Sequence, residues 1–251
     1  RRAFFTMEFS RRTQRIRVSG IRRVFEAAGE DAINLGLGQP DFDTPENVKQ
    51  AAVDAIEDGR AAGYTSNVGI ELLREEIARY VGVDASPDEV LVTSGASEGL
   101  HVATEAFVGT GEDVLVPDPG FVSYDALAKV ADANPVGVEL ADDLRLEPEA
   151  VKESLTDDTA AFFVNSPANP TGAVQTEDDA RAFAEIADDY GATLISDEVY
   201  DRFVYDGEHV SPARFGENVV TVNAASKTLA ATGWRLGYVV APTAAVDEMV
   251  K

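Results

Sequence analysis

The sequence predicts an α/β protein, a three-layer sandwich built on a mostly parallel seven-stranded sheet. Short runs rich in β-branched and apolar residues alternate with longer segments of helical periodicity. This alternation is typical of a parallel sheet that is covered by helices on both faces. The predicted strands are 90–93, 113–116, 136–140, 160–164, 192–196, 219–223 and 236–241, and helical patterns lie at 97–108, 121–133 and 177–190.

The N-terminal part predicts an arm, an extended loop and two helices. Residues 1–6 precede Met7 and are interpreted as an upstream extension, whereas the basic segment 11–23 predicts an arm or a first helix. Segment 32–45 contains two glycines and two prolines, which favour an extended loop. Thr44 is the predicted N-cap of the next helix, with Pro45 in its first turn.

Two amphipathic patterns follow this loop. After Pro45, four apolar residues share one helical face, and a second helix is predicted over 70–81 with its apolar residues turned inward. The first set is Val48, Ala52, Ala55 and Ile56, and the second is Leu73, Ile77, Tyr80 and Val81.

Composition limits the functional classes. A folded domain with a large core fits 251 residues of which 45% are hydrophobic, and the absence of cysteine excludes disulfide and thiolate chemistry. The net charge of −24 argues against general affinity for nucleic acid or acidic membranes. The sequence has no apolar run long enough to cross a membrane, so no membrane association is expected. We expect a cytoplasmic location. The acidic residues are dispersed, which leads to the hypothesis of a surface adapted to high salt.

Four polar, glycine-containing clusters each follow a predicted strand. They are 93–99, 165–172, 197–200 and 224–227. Ligands of parallel α/β sheets bind beyond the carboxyl ends of the strands. The four clusters are therefore predicted to form one site.

Two of these clusters carry the groups expected at a carbonyl-phosphate site. Lys227 lies among small residues, and in a closed site its amine can form a Schiff base; the alternative is a surface lysine. Gly95, Ala96 and Ser97 open a helix and can hold a phosphate with their backbone N–H groups, although an ordinary serine cap is the alternative. Ser226 and Arg235 can complete this phosphate site.

The other two clusters supply partners for an aromatic ring. Asp197 ends an apolar strand, where a carboxylate needs a nearby cation such as a protonated ring nitrogen. Tyr200 and Asn169 can donate hydrogen bonds to a phenolate oxygen. Each residue also has an ordinary structural alternative as a cap, turn or core residue. Together with Lys227 they predict a site for pyridoxal 5′-phosphate, and no metal site is expected.

The sequence resembles the class I (fold type I) pyridoxal-phosphate-dependent aminotransferases, in the prokaryotic aspartate and broad-specificity branch. The resemblance covers nearly the whole chain. Its most specific motifs are Asn169-Pro170-Thr171-Gly172, Asp197-Glu198-Val199-Tyr200 and Ser226-Lys227 followed by Gly233-Trp234-Arg235. It implies an aminotransferase that moves the amino group of an aspartate, aromatic or aliphatic L-amino acid to a 2-oxo acid.

The resemblance also implies residue roles. Lys227, Asp197 and Tyr200 would be catalytic, with Lys227 holding the cofactor as a Schiff base and Asp197 keeping its ring nitrogen protonated. Phe121 would stack on the ring, and Tyr64 would reach the cofactor of the other subunit in a homodimer. The implied cofactor site comprises Gly95, Ala96, Ser97, Phe121, Asn169, Asp197, Tyr200, Ser226, Lys227, Arg235 and the partner's Tyr64, and Gly38 and Asn169 would contact the substrate.

The expected domains are an N-terminal arm with part of a small domain over residues 1–45 and the cofactor-binding large domain over 46–251. Family members extend beyond this point, so the C-terminal small domain and its substrate-binding arginine are expected to be absent from this chain. Three alternatives remain open from sequence. They are a pyridoxal-phosphate-dependent β-lyase on the same fold, a non-catalytic ligand-binding module and a cofactor-binding remnant.

Overall fold

A computed structural model describes residues 7–17, 27 and 38–251. The predictions for residues 1–6, 18–23 and 32–37 lie outside this part of the chain. The strands are β1 (Val90–Thr93), β2 (Asp113–Asp118), β3 (Asn134–Glu139), β4 (Thr159–Asn165), β5 (Thr193–Asp197), β6 (Val219–Ala224) and β7 (Gly237–Val240). The helices are α1 (Arg11–Arg15), α2 (Glu46–Glu57), α3 (Glu71–Tyr80), α4 (Ala96–Phe107), α5 (Ser123–Val130), α6 (Pro148–Ser154), α7 (Glu177–Tyr190), α8 (Ala225–Thr228) and α9 (Thr243–Met249).

The seven strands form one sheet in the order β1-β7-β6-β5-β4-β2-β3. Strand β7 is antiparallel to both of its neighbours, β1 and β6, and the other four strand pairs are parallel. The predicted mostly parallel α/β sheet is therefore confirmed. Because β1 and β6 are both antiparallel to β7, they run in the same direction, and the carboxyl ends of β1, β4, β5 and β6 meet at one edge of the sheet.

Alternate residues of the central strands face two separate hydrophobic clusters. Phe162 of β4 belongs to the cluster that contains Val151 of α6 and Phe183 of α7. The next residue, Phe163, belongs to the cluster that contains Leu100 of α4. This period of two is the pattern of a strand that is buried on both faces. Helices thus cover both faces of the sheet, as the three-layer prediction requires.

Most predicted elements are present with small shifts at their ends. Helix α7 has the predicted bounds and is capped by Thr176, whose hydroxyl accepts a hydrogen bond from the backbone N–H of Asp179. Helix α5 is shorter than predicted, since the chain leaves it near Asp132, a residue with a left-handed φ of 62°. Helices α6, α8 and α9 lie where the sequence predicts no helix.

The prediction for Thr44 was wrong. The N-cap of α2 is Pro45, and no side chain caps this helix. The Thr44 hydroxyl instead donates a hydrogen bond of 2.9 Å to the carbonyl oxygen of Ala230, a residue far away in the sequence. The Thr-Pro pair marks the start of the helix correctly, but tertiary structure determines the partner of the hydroxyl.

The burial of the two amphipathic helices differs in part from the pattern of their apolar residues. No residue of α2 is buried among the described residues, and Ile56 is 68% exposed. In α3, Ile77 is buried as predicted, whereas Tyr80 is 42% exposed. The guanidinium of Arg202 lies 4.6 Å from the Tyr80 ring centroid and its Nε donates to the Tyr80 hydroxyl, so this ring serves a polar contact at the surface.

Within residues 7–17, 27 and 38–251, no helix combines the length and the apolar character needed to cross a membrane.

Candidate active site

The fold brings the predicted polar clusters to the common edge of β1, β4, β5 and β6. Asn165 ends β4 and pairs in register with Asp197, which ends β5. Asp197 in turn pairs with Val222 of β6, and α8, which carries Lys227, begins directly after that strand. The parallel register therefore sets Asp197 and the lysine helix side by side.

Lys227 has the environment of a reactive amine. Its ammonium donates a hydrogen bond to the backbone carbonyl of Gly38, and Nζ lies 5.6 Å from the ring centroid of Tyr200. Burial lowers the pKa of Lys227, the positive charge of Arg235 lowers it further, and the negative charge of Asp197 opposes both effects. A lowered pKa increases the fraction of free amine at neutral pH, which nucleophilic attack on a carbonyl requires.

Asp197 is a buried carboxylate, with only 3% of the residue exposed. Burial raises its pKa to about 6, although the Tyr124 hydroxyl and the backbone N–H of Val199 lower it by hydrogen bonding. The Tyr124 hydroxyl donates to Asp197 Oδ2 at 2.8 Å, and the Val199 N–H donates to Oδ1 at 3.3 Å. Such a carboxylate stays ionised at neutral pH and strongly favours a cation beside it.

Tyr200 and Asn169 lie next to this carboxylate. Burial raises the pKa of the Tyr200 hydroxyl, the charge of Asp197 raises it further, and a hydrogen bond with Asn169 opposes the rise. Asn169 is held by its backbone N–H, which donates to Asn165 Oδ1 at 2.6 Å. The Asn165 amide donates to the carbonyl of Asp197 at 2.8 Å, so one side chain ties the two strand ends together.

The predicted phosphate site combines the start of α4 with Arg235. Gly95 is the N-cap of α4 and has a φ of 80°, a conformation that suits glycine. The N–H groups of Ala96 and Ser97 in the first turn have no intrahelical acceptor. Arg235 donates to the Ser94 carbonyl at 3.1 Å, and a Cβ on Gly95 would lie 2.7 Å from the Arg235 guanidinium carbon. Ser226 precedes Lys227 in α8.

Phe121 packs near the site, whereas Tyr64 lies at the surface of the single chain. Phe121 contacts the site indirectly, because its ring packs edge-on against Tyr124 at a centroid distance of 5.6 Å. Tyr124 itself stacks on Phe163 at 4.4 Å. Tyr64 is fully exposed in the single chain.

Sequence reasoning missed Tyr124 and Asn165. Tyr124 lies in the first turn of α5, after a strand that ends at the same edge of the sheet, and it is 1% exposed. A buried tyrosine hydroxyl usually has a polar partner, so a tyrosine at this position was a usable signal. For Asn165 the signal was a polar side chain at the last position of an apolar strand.

A buried polar cluster supports the turn after β5. Glu198 is 4% exposed and accepts hydrogen bonds from Ser196 at 2.9 Å and Ser211 at 2.7 Å. His209 lies 2.9 Å from the other carboxylate oxygen of Glu198. Burial lowers the pKa of His209, but the hydrogen bond and charge of Glu198 outweigh this effect and raise it. The cluster fixes the chain between Asp197 and Tyr200.

The residues present fit pyridoxal 5′-phosphate. Asp197 offers a buried negative charge that a protonated pyridine nitrogen would neutralise. Burial raises the pKa of Asp197 to about 6, and a cation beside it would offset the cost of burying this charge. Lys227 has the lowered pKa that binding to an aldehyde needs. The N-terminus of α4 with Arg235 has the charge and donors of a phosphate site.

Comparison with known proteins identifies relatives over most of the chain. A family model described as aminotransferase class I and II matches residues 30–251. The probable aspartate aminotransferase of Methanocaldococcus jannaschii is 42% identical over 96% of this chain. The aspartate aminotransferase of Pyrococcus horikoshii is 42% identical over the whole chain. This chain spans 64% and 66% of the lengths of these two relatives.

The fold agrees with that of a solved relative. The aspartate aminotransferase from Thermus thermophilus with maleate superposes with a TM-score of 0.92 at 37% sequence identity. The match covers 98% of this chain and 67% of that one. Sequence and structure therefore point to the same family.

Proposed function

Because this chain belongs to the class I and II aminotransferases, we propose that the protein transfers the amino group of an L-amino acid to a 2-oxo acid with pyridoxal 5′-phosphate as cofactor. Aspartate is the first candidate donor, since the relatives from M. jannaschii, P. horikoshii and T. thermophilus are named aspartate aminotransferases. The T. thermophilus enzyme was solved with maleate, a dicarboxylate, which supports the same substrate class. Aromatic and aliphatic amino acids are further candidates.

The observation that carries this proposal is the joint placement of Lys227 and Asp197. Pyridoxal phosphate, when bound, supplies an electron sink for the amino-acid substrate. Lys227 Nζ would hold the cofactor's aldehyde carbon at rest and carry the proton during transfer. Asp197 would hold the proton on the ring nitrogen through its buried negative charge. Tyr200 and Asn169 would bind the ring hydroxyl.

The remaining residues would bind and orient. Arg235, Ser226 and the Gly95-Ala96-Ser97 turn would bind the phosphate, with the α4 dipole adding to the charge of the guanidinium. Phe121 would cover one face of the ring. Gly38, whose carbonyl oxygen already contacts Lys227, would meet the substrate together with Asn169.

The first test is cofactor binding by the purified chain. Pyridoxal phosphate is added, the protein is dialysed and treated with borohydride, and the modified lysine is identified by peptide mass spectrometry. We expect retained visible absorption and a label on Lys227, both lost in Lys227→Ala. The matched control is Lys152→Ala, an exposed lysine on α6.

The second test is amino-group transfer. L-aspartate and 2-oxoglutarate are supplied in one assay, in which oxaloacetate is measured. A β-substituted alanine is supplied in a second assay, in which pyruvate is measured. Oxaloacetate formation that depends on Lys227 supports the transferase, whereas pyruvate release from a β-substituted alanine would support the β-lyase alternative. A folded chain that retains no cofactor would refute the proposed function of this chain and support a non-catalytic role.

A homodimer is part of the proposal. The supporting observation is Tyr64, a large aromatic side chain that is fully exposed in the single chain. By the resemblance it would contact the phosphate in the partner subunit. Sedimentation of the wild type and of Tyr64→Phe, combined with the cofactor dissociation constant of each, tests this role. Loss of affinity without dissociation of the dimer is the expected result.

A further inference from the structure

A short segment from the N-terminal part of the chain contacts residues 227–230, called the lysine loop below, at two points. This segment, residues 38–44, is called the strap below. At one end of the strap, the carbonyl of Gly38 accepts a hydrogen bond from the Lys227 ammonium. At the other end, the Thr44 hydroxyl donates to the carbonyl of Ala230 at 2.9 Å, and Thr44 is only 6% exposed. The strap therefore bridges the loop that follows α8.

Ala230 is the strained residue of this loop. Its φ is 48°, in the left-handed region that residues with a Cβ rarely adopt. Its N–H donates to the carbonyl of Lys227 at 3.1 Å, so its conformation sets how the chain leaves the lysine helix. A residue in such a conformation persists only where the surrounding structure holds it.

The Thr44 hydroxyl contacts Ala230 from outside the loop and helps to hold Ala230 in place. The hydroxyl is free for this contact because Pro45, and not Thr44, is the N-cap of α2. The Thr44 backbone is fixed as well, since its N–H donates to Asp43 Oδ1 at 2.8 Å and Asp43 Oδ2 lies 2.9 Å from Lys49 Nζ on α2. The strap is thus anchored to a helix on one side and to the lysine loop on the other.

We propose that Thr44 is a positioning residue for Lys227, which acts by holding Ala230 in its left-handed conformation and so fixes the lysine helix. This inference rests on the proposed function in taking Lys227 as the reacting amine. The buried hydroxyl of Thr44 thus contributes to the site. The Thr-Pro pattern at the start of a helix does not indicate this role.

The consequence of losing this contact follows from the surroundings of Lys227. Burial is the main cause of its lowered pKa, and Arg235 contributes in the same direction, whereas Asp197 opposes them. The Tyr200 ring faces Nζ, and the strap itself carries Asp41 and Asp43. A loosened loop exposes the amine to water, so its pKa returns toward that of an ordinary lysine and less free amine is present at neutral pH.

The test measures the reaction of cyanate with lysine amines in the chain without added cofactor. Carbamoylation of each lysine is followed by peptide mass spectrometry between pH 6 and 10 at constant ionic strength, and Lys152 is the internal control. For Thr44→Val, which keeps the shape but removes the hydroxyl, we expect the Lys227 rate at neutral pH to fall about threefold, because a higher pKa leaves less free amine. Thr44→Ser keeps the hydroxyl and should react like the wild type.

A second substitution tests the route through Ala230. Ala230→Gly removes the cost of the left-handed conformation, so it should restore most of the Lys227 rate in the Thr44→Val background. An unchanged rate in Thr44→Val, an equal loss in Thr44→Ser, or no recovery with Ala230→Gly would each overturn the proposal. Should Thr44→Val fail to fold, Thr44→Val/Ala230→Gly is compared with Ala230→Gly alone, and a large difference in rate would count against it.

The readout also separates this proposal from the proposed function. Carbamoylation needs neither cofactor nor substrate. A chain that shows the Thr44 effect but retains no pyridoxal phosphate would refute the proposed function and leave the positioning role intact. A chain that binds the cofactor on Lys227 but shows no Thr44 effect would support the proposed function and refute the positioning role.

Discussion

Asp197 is the residue at which the demands of folding conflict with those of the proposed cofactor binding. Its folded pKa of about 6 lies above the usual 3.8, mainly because of burial. The folded chain therefore binds this proton more tightly than the unfolded chain. The contribution of Asp197 to the free energy of unfolding is therefore greatest below about pH 4, and it is lost as the pH rises through about 6.

We expect Asp197→Asn to remove this pH dependence. Two pKa units correspond to about 3 kcal/mol, so without cofactor the variant should gain up to that much stability relative to the wild type between pH 4 and 7. Urea unfolding across this range measures the difference. The control is Asp206→Asn at an exposed position. If both variants follow the wild-type curve, the carboxylate of Asp197 is not strained by burial.

Tyr124 lowers the pKa of Asp197, whereas burial raises it. Its hydroxyl is the largest influence that lowers the pKa of Asp197, and the hydroxyl itself is buried. Tyr124→Phe should therefore raise the pKa of Asp197 and weaken its hold on a protonated ring nitrogen. We expect about a tenfold increase in the dissociation constant of pyridoxal phosphate, in line with the loss of one hydrogen bond to a charged group.

Fluorescence titration with pyridoxal phosphate at several pH values measures this effect, which should be larger toward low pH, where Asp197 protonates first. Tyr205→Phe is the control, since Tyr205 is 96% exposed. Equal affinity of Tyr124→Phe and wild type at all pH values would contradict the role of the hydroxyl.

The sequence identified some of these residues and not others, for a physical reason. Lys227 and Asp197 stand in local contexts, small residues for one and the end of an apolar strand for the other, that ordinary surface residues rarely have. Tyr124 and Thr44 acquire their roles from contacts across 73 and 186 residues of sequence. No local pattern carries such a contact, so these two roles needed the structure.

At the scale of elements, periodicity predicted the strands but not their arrangement. Each strand run was recognised because burial on both faces requires a short apolar segment. The order that inserts β7 between β1 and β6 depends on pairing between distant segments, as in the register of Val90 with Val240. The short helices α6 and α9 have too few turns for a clear period. The division into an arm over 1–45 and a large domain over 46–251 stays a prediction.

Strand β7 packs closely against the start of α4. A Cβ on Gly237 would lie 2.6 Å from the backbone nitrogen of Ala96, which is closer than real Cβ contacts allow. Gly237 pairs with Thr93 at the end of β1, so this approach fixes the Gly95-Ala96-Ser97 turn, the proposed phosphate site, against the sheet.

We expect Gly237→Ala to push the start of α4 away from β7 and to weaken phosphate binding more than it weakens the fold. Overpacking of this kind typically costs about 1–3 kcal/mol. The inhibition of pyridoxal phosphate binding by inorganic phosphate gives the phosphate affinity, and urea unfolding gives the stability. Gly233→Ala is the matched control, because a Cβ there meets no atom within 4 Å. Equal phosphate affinities in the two variants would contradict this account.

At the scale of the whole molecule, the dominant feature is its charge. The chain has 45 acidic and 21 basic residues. Many of the ion pairs that it forms are at the surface, such as Arg60 with Asp58 and Arg79 with Glu75. Exposed pairs contribute little to stability, so they do not offset the repulsion among the excess carboxylates.

Salt should therefore stabilise this protein. At 1 M ionic strength the screening length falls to about 3 Å, which removes most of the repulsion between exposed carboxylates, while hydrophobic burial is maintained. We expect the melting temperature to rise steadily with KCl toward molar concentrations. Sucrose at matched osmolality is the control for a general effect of solutes on protein surfaces. If the melting temperature falls as KCl is added, or if sucrose raises it as much, the acidic surface is not an adaptation to high salt and the dispersed carboxylates need another explanation.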